Sequence, residues 1–130
     1  RALSPAVNDP GTAIDIINSF VRLFVIWNEP VDEERKVPCE YDRIAVPELS
    51  IHEMFDDAFM ALARDGAGVV EVGVRLQKAL HALAEIGDAD MRKAAEHHAR
   101  LAIARAEQAL ELREDLDTIR SAGIFAEKSA

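Results

Sequence analysis

The sequence predicts a mainly α-helical domain, an antiparallel bundle of about four to five helices with a small β-hairpin inserted between the first and second helices. Three observations favour this fold class. Of the 130 residues, 49% are hydrophobic, and many of these are alanine, which suits helices that approach one another closely. Apolar residues recur at helical spacing along most of the chain. Residues typical of helix caps and stops separate these stretches.

Length and charge limit the class of protein further. The chain, residues 1–130, is long enough to form one domain that buries its own core without disulfides. Its 24 acidic and 15 basic residues give a formal net charge of −9, which repels polyanions unless basic residues are segregated on one face. The sequence shows no such basic patch, so we predict no nucleic acid partner. The single cysteine, Cys39, provides neither an internal disulfide nor a zinc site.

The stretch from Ala2 to Ala13 combines two prolines, a glycine and several short polar side chains just before the most apolar segment. Ser, Asn, Asp and Thr favour caps and turns because their side chains compete for backbone hydrogen bonds. We expect a rigid loop that starts the first helix near Pro10 or Thr12, with Asp9 accepting from its free amides. A plain helix cap with no further role is the alternative interpretation.

The segment Ile14–Trp27 is predicted to be a helix that other helices enclose almost completely. It is shorter than the roughly 20 apolar residues that a bilayer-spanning helix needs, and it contains Asp15, Asn18 and Arg22. We therefore expect a core helix that does not insert into a membrane and that ends just before Pro30. Ile14, Ile17, Val21 and Phe24 form one apolar stripe of this helix, and Phe20, Leu23 and Trp27 widen it.

The hairpin is predicted within residues 31–47. Two short β-like runs, 36–39 and 43–46, flank three polar residues that suit a turn. Pro38 and Pro47 would restrict these strands to a sheet edge, and so small a hairpin is stable only when it packs on other elements. We expect it to bridge the first two helices.

Capping and stop signals bound the second and third helices. Ser50 and Glu53 form a capping box that starts the second helix, which continues to about Arg64, before Gly66. Gly73 lies inside the third helix and costs about 1 kcal/mol relative to alanine, which indicates either a close helix contact or a tolerated weakness. The apolar face of the third helix contains Val69, Val72, Gly73, Leu76, Leu80 and Leu83.

The remaining chain predicts two more helices. Asp88 is the expected cap of a long fourth helix that runs to about Leu112. The acidic cluster 114–117 then favours a short final helix before Gly123. The inward face of the fourth helix is predicted to contain Ala94, Ala95, His98, Leu101, Ala102 and Ala109, whose small side chains let a partner helix approach.

The histidines do not suggest a metal site. His97 and His98 are adjacent, so on a helix they point about 100° apart and cannot bind the same ion. His81 and Glu85 have the i, i+4 spacing of metal ligands, but two residues alone are more typical of a solvated pair. We interpret His98, on an alanine-rich face, as a core histidine bonded to a carbonyl or a carboxylate.

Other combinations also lack the spacing that catalysis needs. Ser4 has no GxSxG elbow around it, and the pair Gly66 and Gly68 lacks the lysine of a phosphate-binding loop. Asp56 and Asp57 are neighbours on one helix and do not face each other, as acid and base groups would. We therefore predict no catalytic residue, no metal and no cofactor.

The opening string Arg1–Ala13, RALSPAVNDPGTA, resembles the signature of a family of predicted bacterial integral membrane proteins, domain-of-unknown-function family 2254. That family commonly has Gly in place of Ala6 and an aromatic residue in place of Gly11. The stretch 66–68, the helix that follows it and the helix that contains His98 also resemble the family's C-terminal soluble part.

The resemblance implies membrane helices upstream of this chain, which would be a soluble, cytoplasmic domain excised from a membrane-anchored protein. It carries over no established activity. By position in the motif, the candidate site residues are Ser4, Asn8, Asp9 and Thr12, with Arg1 beside them.

Two functional hypotheses follow. The leading one is a non-enzymatic assembly or regulatory domain that contacts the upstream membrane portion or forms a homo-oligomer through apolar helix faces. The alternative is a ligand-sensing domain that binds a small polar molecule or an anion at the Ser4–Thr12 loop. A hydrolase ranks last, because it would need Ser4, a histidine and Asp9 to converge within hydrogen-bond reach.

Overall fold

The computed structural model describes residues 9–28 and 50–123, and these residues form five helices. The helical bundle predicted from the sequence is confirmed for this part of the chain. The helices are α1 (Pro10–Asn28), α2 (Ile51–Asp65), α3 (Val70–Ile86), α4 (Ala89–Ala109) and α5 (Arg113–Arg120).

The predicted mixture of helices with a β-hairpin is wrong for the part of the chain that the structure describes. Residues 9–28 and 50–123 contain helices and their connections and no strand. The segment 31–47, to which the hairpin was assigned, lies outside the described residues. The described part of the chain is therefore all-α, because every regular element in it is a helix.

Capping residues start α2 and α4 where the sequence predicts. The Ser50 hydroxyl accepts a hydrogen bond from the Glu53 amide at 3.1 Å, and the Asp88 carboxylate accepts from the Met91 amide at 2.9 Å. Each bond satisfies an amide that has no acceptor within the helix. At the other end of α2, the Gly66 amide donates to the Leu62 carbonyl at 2.9 Å.

The fourth helix is shorter than predicted, because it ends at Ala109 and not at about Leu112. Leu110 has an extended backbone, with φ of −96° and ψ of 130°, which stops the helix although its amide still donates to the Ala106 carbonyl. The chain then turns into α5, which packs mainly against α3. An ion pair between Arg120 and Glu107 joins α5 to α4.

The helix α3 lies at the centre of the bundle, in contact with α1, α4 and α5, while α2 packs mainly against α4. The alanine-rich face of α4 is buried as predicted, apart from Leu101, which is half-buried, and Ala109, which is exposed. Fully buried large side chains of the core are Ile17, Phe24, Phe55, Phe59, Val72, Leu76, Leu80, Leu83 and Met91.

Four phenylalanine rings dock α1 onto α2. The Phe24 ring lies 4.5 Å from Phe55 and 5.8 Å from Phe59, measured between ring centroids, and Phe20 meets Phe59 edge to face at 5.7 Å. Aromatic pairs at such separations add to the hydrophobic gain of burial. Because the rings fill the space between the helices, the two backbones make few close approaches.

Gly73 is the point at which α5 approaches α3. A Cβ atom on Gly73 would lie 2.6 Å from Cδ1 and 3.0 Å from Cγ1 of Ile119, which is itself buried. Of the two interpretations of Gly73, a close helix contact or a tolerated weakness, the structure supports the contact.

Candidate functional site

Two of the four predicted site residues, Asp9 and Thr12, are brought together at the start of α1. One Asp9 carboxylate oxygen accepts from the Gly11 amide at 3.1 Å, and the other accepts from the Thr12 hydroxyl at 2.7 Å. The Thr12 hydroxyl lowers the pKa of Asp9 below its ordinary value of 3.8, and the Gly11 amide adds to this effect. Ser4 and Asn8 lie outside the described residues.

These bonds give Asp9 the capping role predicted for it. The helix begins at Pro10, and the Ala13 amide donates to the Asp9 carbonyl at 3.1 Å, so the side chain and the main chain of Asp9 both serve the first turn. Whether the loop also binds a ligand stays a prediction.

The helix α1 has one buried face and one exposed face. Ala13, Ile17 and Phe24 are 1% exposed or less and belong to the core. The opposite side is solvated along its whole length, so the prediction that other helices enclose α1 almost completely is wrong. Most core residues come from α2, α3 and α4, and α1 contributes only the three on its buried face.

An apolar surface occupies the C-terminal half of this exposed face. Leu23, Ile26 and Trp27 are 52%, 65% and 56% exposed, and their i, i+3, i+4 spacing places them side by side. We call these three residues the apolar surface of α1. The Asn28 side chain donates to the Ile86 carbonyl at 2.8 Å, which places the exposed Ile86 next to this end of α1.

The sequence contains a signal for this exposure. Asp15, Ser19 and Arg22 recur at steps of four and three residues, which marks one side of a helix as polar, and the next step of four reaches Ile26. All four are exposed. We did not predict the exposed surface because the density of apolar residues outweighed the position of these polar ones.

An open groove of about 440 Å³ lies beside Trp27, between the end of α1 and the first turns of α2 and α4. Ser50 and Asp88 line it, and both side chains already cap helices. These two polar groups of the groove therefore have structural roles.

His98 is a core histidine bonded to a carboxylate, as predicted. Its side chain is 3% exposed, and Nε2 lies 2.7 Å from Oδ1 of Asp56, whose side chain is 47% exposed. An ionised carboxylate only accepts hydrogen bonds, so Nε2 carries the hydrogen and donates it. The rings of Phe55 and Phe59 lie 6.2 and 6.5 Å from the imidazole.

Burial lowers the pKa of His98 below its ordinary value of 6.5. The hydrogen bond and the negative charge of Asp56 act in the opposite direction, whereas His97 and His52 lower the pKa further by charge repulsion. His98 therefore links α4 to α2 as a neutral hydrogen-bond donor.

The other histidine pair is a surface interaction. His81 Nε2 lies 3.1 Å from Glu85 Oε1, and both side chains are well exposed, as expected of a solvated pair. Within residues 9–28 and 50–123, no three His, Cys, Asp or Glu side chains are grouped so that they could hold a metal ion.

Gln77 is a buried polar residue that the sequence analysis did not single out. Its Nε2 donates to the Ala99 carbonyl at 3.0 Å, while its Oε1 has no hydrogen-bond partner in the part of the chain described. Among the described residues, Gln77 is the one polar side chain that lines a small, partly open cavity of about 10 Å³. A cavity of this size holds about one water molecule, so it is too small for a metabolite.

Length and composition alone would allow α1 to cross a membrane. Its most apolar 18-residue window has a mean hydropathy of 1.2, and 17% of that window is buried. It is the one helix of the described residues that passes this test. The test is weak evidence by itself, because apolar core helices and signal sequences pass it too.

The fold and the surface define an all-helical unit whose first helix combines a core face with an exposed apolar face, a combination that suits a unit associated with other protein or with a membrane. Residues 1–82 match the family described as predicted membrane protein (DUF2254), and the chain belongs to this family. No curated protein and no solved structure matches the chain.

Proposed function

We propose that this chain is a non-enzymatic assembly or regulatory domain of a membrane protein, and that the apolar surface of α1 makes the contact. The single observation that carries the proposal is the exposure of Leu23, Ile26 and Trp27 side by side on a helix that the core holds in place. Membership of a predicted membrane protein family supports the proposal that the domain is part of a membrane protein.

The surface has the composition of a protein contact. Single exposed apolar residues are common on monomeric proteins, but adjacent large ones mark interaction sites more often. Tryptophan is enriched at interfaces, where it provides much of the binding energy. Because Phe24 and Ile17 are buried on the other side of the same helix, the backbone of the surface is held in place, and binding would have to order only its exposed side chains.

The interior of the bundle supports a non-enzymatic role. The cavity at Gln77 is only about 10 Å³, and the other described side chains that line it are apolar. The buried His98 donates to the half-exposed Asp56, and the rings of Phe55 and Phe59 lie beside its imidazole, so this hydrogen bond has a structural role.

In the intact protein, this domain would be anchored through membrane helices that precede it and would lie in the aqueous phase, on the cytoplasmic side. The apolar surface would then face either another copy of the domain or the membrane-embedded portion of the same protein. In both arrangements the domain would assemble the protein and would catalyse no reaction.

The test compares two leucines with matched exposure. Leu23 and Leu112 are 52% and 56% exposed, but Leu112 lies on the connection between α4 and α5, neither of which is a main contact of α1. We expect Leu23→Ser to reduce association and Leu112→Ser to leave it unchanged. Sedimentation velocity over a wide concentration range measures self-association, and co-purification with the separately expressed membrane portion measures the other contact.

Both variants should keep their helical circular dichroism, because neither side chain belongs to the core. A chain that stays monomeric at high concentration and does not bind the membrane portion would overturn the proposal. Equal effects of the two substitutions would overturn it as well.

A further inference from the structure

The exposed face of α1 carries one acidic and one basic side chain about two helical turns apart. Asp15 and Arg22 are both exposed and lie seven residues apart, close to two helical turns, on the side of α1 that faces away from the core. Neither forms an ion pair with another described residue within residues 9–28 and 50–123. Arg22 donates to the Ser19 hydroxyl at 3.3 Å, which directs its guanidinium along this face.

The charges on this face of one copy are complementary to those on the same face of a second, antiparallel copy. When two copies of α1 run antiparallel about a two-fold axis between Asn18 and Ser19, Asp15 of each copy lies opposite Arg22 of the other. A two-fold contact of this kind uses the same residues on both sides. It therefore forms two Asp15–Arg22 pairs at once.

The same register matches the sizes of the remaining side chains. It places the large Ile26 of one copy opposite Gly11 of the other, and Trp27 opposite Pro10. Gly11 is exposed, and among the described residues a Cβ atom there would meet only an oxygen of Asp9, at 3.5 Å, so these residues leave room above it. Ser19, near the axis, is small enough to let the two helices approach closely.

We propose that α1 pairs with α1 of a second copy of this chain, antiparallel, through reciprocal contacts between Asp15 and Arg22 and insertion of Ile26 beside Gly11. The inference rests on the proposed assembly function and names its partner. A lipid surface is disfavoured as the occupant, because charged side chains lie at the centre of this face and the net charge of −9 is repelled by anionic lipids.

One helix pair buries less surface than the roughly 800 Å² per partner of a standard interface, so the isolated chains should associate weakly. Two copies anchored in the same membrane would meet at a much higher effective concentration, which compensates for weak affinity. The pairing therefore fits a domain that assembles a membrane protein.

Charge reversal tests the register. Asp15→Arg and Arg22→Asp each convert both ion pairs into like-charge contacts, and we expect each to weaken the dimer by about tenfold. The double variant restores both pairs in reversed order and should recover the affinity of the natural chain. Sedimentation equilibrium gives the dissociation constants.

If the net charge of the chain controlled association, in place of the specific ion pairs, the outcome would differ. Asp15→Arg makes the chain less acidic, so if only net repulsion mattered this variant would associate more tightly. Asp57→Arg, on the exposed side of α2, makes the same charge change outside the interface and is the matched control, as Arg100→Asp on α4 is for Arg22→Asp. Unchanged thermal unfolding verifies that each variant is folded.

Cysteine trapping locates the axis independently. In a Cys39→Ser background, Ser19→Cys should give a disulfide-linked dimer under mild oxidation. The control variant His97→Cys, at an exposed position of α4, should give no such dimer.

The outcomes separate the two proposals. If the natural chain associates and Leu23→Ser disrupts it, but the double charge variant does not recover, the antiparallel register is wrong and the assembly function stands. If the chain binds only the membrane portion, the second copy is the wrong partner. If it associates with neither, both proposals fail.

Discussion

The imidazole Nε2 of His98 lies 2.7 Å from the carboxylate of Asp56 and connects α4 to α2 at the edge of the aromatic cluster. The donor is buried and the acceptor is half-exposed. Water can therefore reach Asp56 but cannot readily replace it as the partner of His98. Loss of this acceptor would leave a buried N–H group without a hydrogen bond.

We therefore expect Asp56→Ala to lower the free energy of unfolding by about 1–3 kcal/mol, the cost of an unsatisfied buried donor. Asp57→Ala is the matched control, since it removes an exposed carboxylate from the adjacent position. It should change the free energy of unfolding by less than about 0.5 kcal/mol. Urea denaturation measures both, and equal effects would show that the hydrogen bond contributes nothing.

The same histidine predicts a pH dependence of stability. Its pKa is lower in the folded chain than the ordinary value of 6.5, so the unfolded chain binds more protons between these two values. The contribution of His98 is complete above pH 6.5 and is lost as the pH falls through the folded pKa. Urea midpoints between pH 8 and pH 5 should decrease on acidification.

His98→Gln should flatten this pH dependence, whereas His97→Gln, at the exposed neighbouring position, should leave it in place. A midpoint that rises on acidification would mean that the charge of Asp56 outweighs burial at His98.

Gly73→Ala is predicted to destabilise the protein, although alanine is the better helix former by about 1 kcal/mol. The added Cβ would lie 2.6 Å from Cδ1 of the buried Ile119. Ile119→Val removes that Cδ1 atom, so the double variant should recover part of the loss, and a double-mutant cycle measures the coupling. Gly68→Ala, where a Cβ meets nothing within 4 Å, should be neutral or stabilising. Additive effects at Gly73 and Ile119 would contradict the close contact.

Substitutions on the two faces of α1 should differ strongly. Phe24→Ala empties a site between Phe55 and Phe59 and should cost about 3–5 kcal/mol in the free energy of unfolding. Ile26→Ala, two residues further on at a 65% exposed position, should change it by about 0.5 kcal/mol or less in the dilute monomer. Similar losses in denaturant titrations of both variants would mean that Ile26 belongs to the core.

The cap of α1 should depend on the ionised form of Asp9. Since its pKa is lowered in the folded chain, Asp9 stabilises the fold above about pH 3.8, and this contribution is lost as the pH falls through the folded value. Asp9→Ala should lower the urea midpoint at neutral pH. Thr12→Val removes the hydroxyl donor and should raise the pKa of Asp9 towards its ordinary value, which NMR titration of the carboxyl group detects. An unchanged pKa would show that the hydroxyl does not contribute.

The helical elements were predictable because local chemistry determines them. Ser50 and Asp88 act as caps wherever their side chains can reach a free amide, and the regular spacing of Leu76, Leu80 and Leu83 defines the inner face of α3. The bonding of His98 followed from one rule, that a polar group among alanines needs a partner. Identification of Asp56 as that partner required the packing of α2 on α4.

The exposed face of α1 was not predictable from apolar density. Fourteen neighbouring residues with few charges suggested a fully enclosed helix, but enclosure depends on how many helices are available to surround it. The end of α4 was not predicted for a related reason: Leu110 is a good helix former, and its extended backbone leads into α5, which packs on α3.

The fluorescence of Trp27 tests the central claim most directly, because it is the only tryptophan of the chain and lies on the surface proposed to make the contact. As the concentration of the chain rises, or when the membrane portion is added, its emission should shift to shorter wavelength and acrylamide should quench it less. Leu23→Ser should prevent both changes, and Leu112→Ser should not. An emission spectrum and quenching constant that stay the same from dilute to concentrated protein and in the presence of the membrane portion would contradict the account.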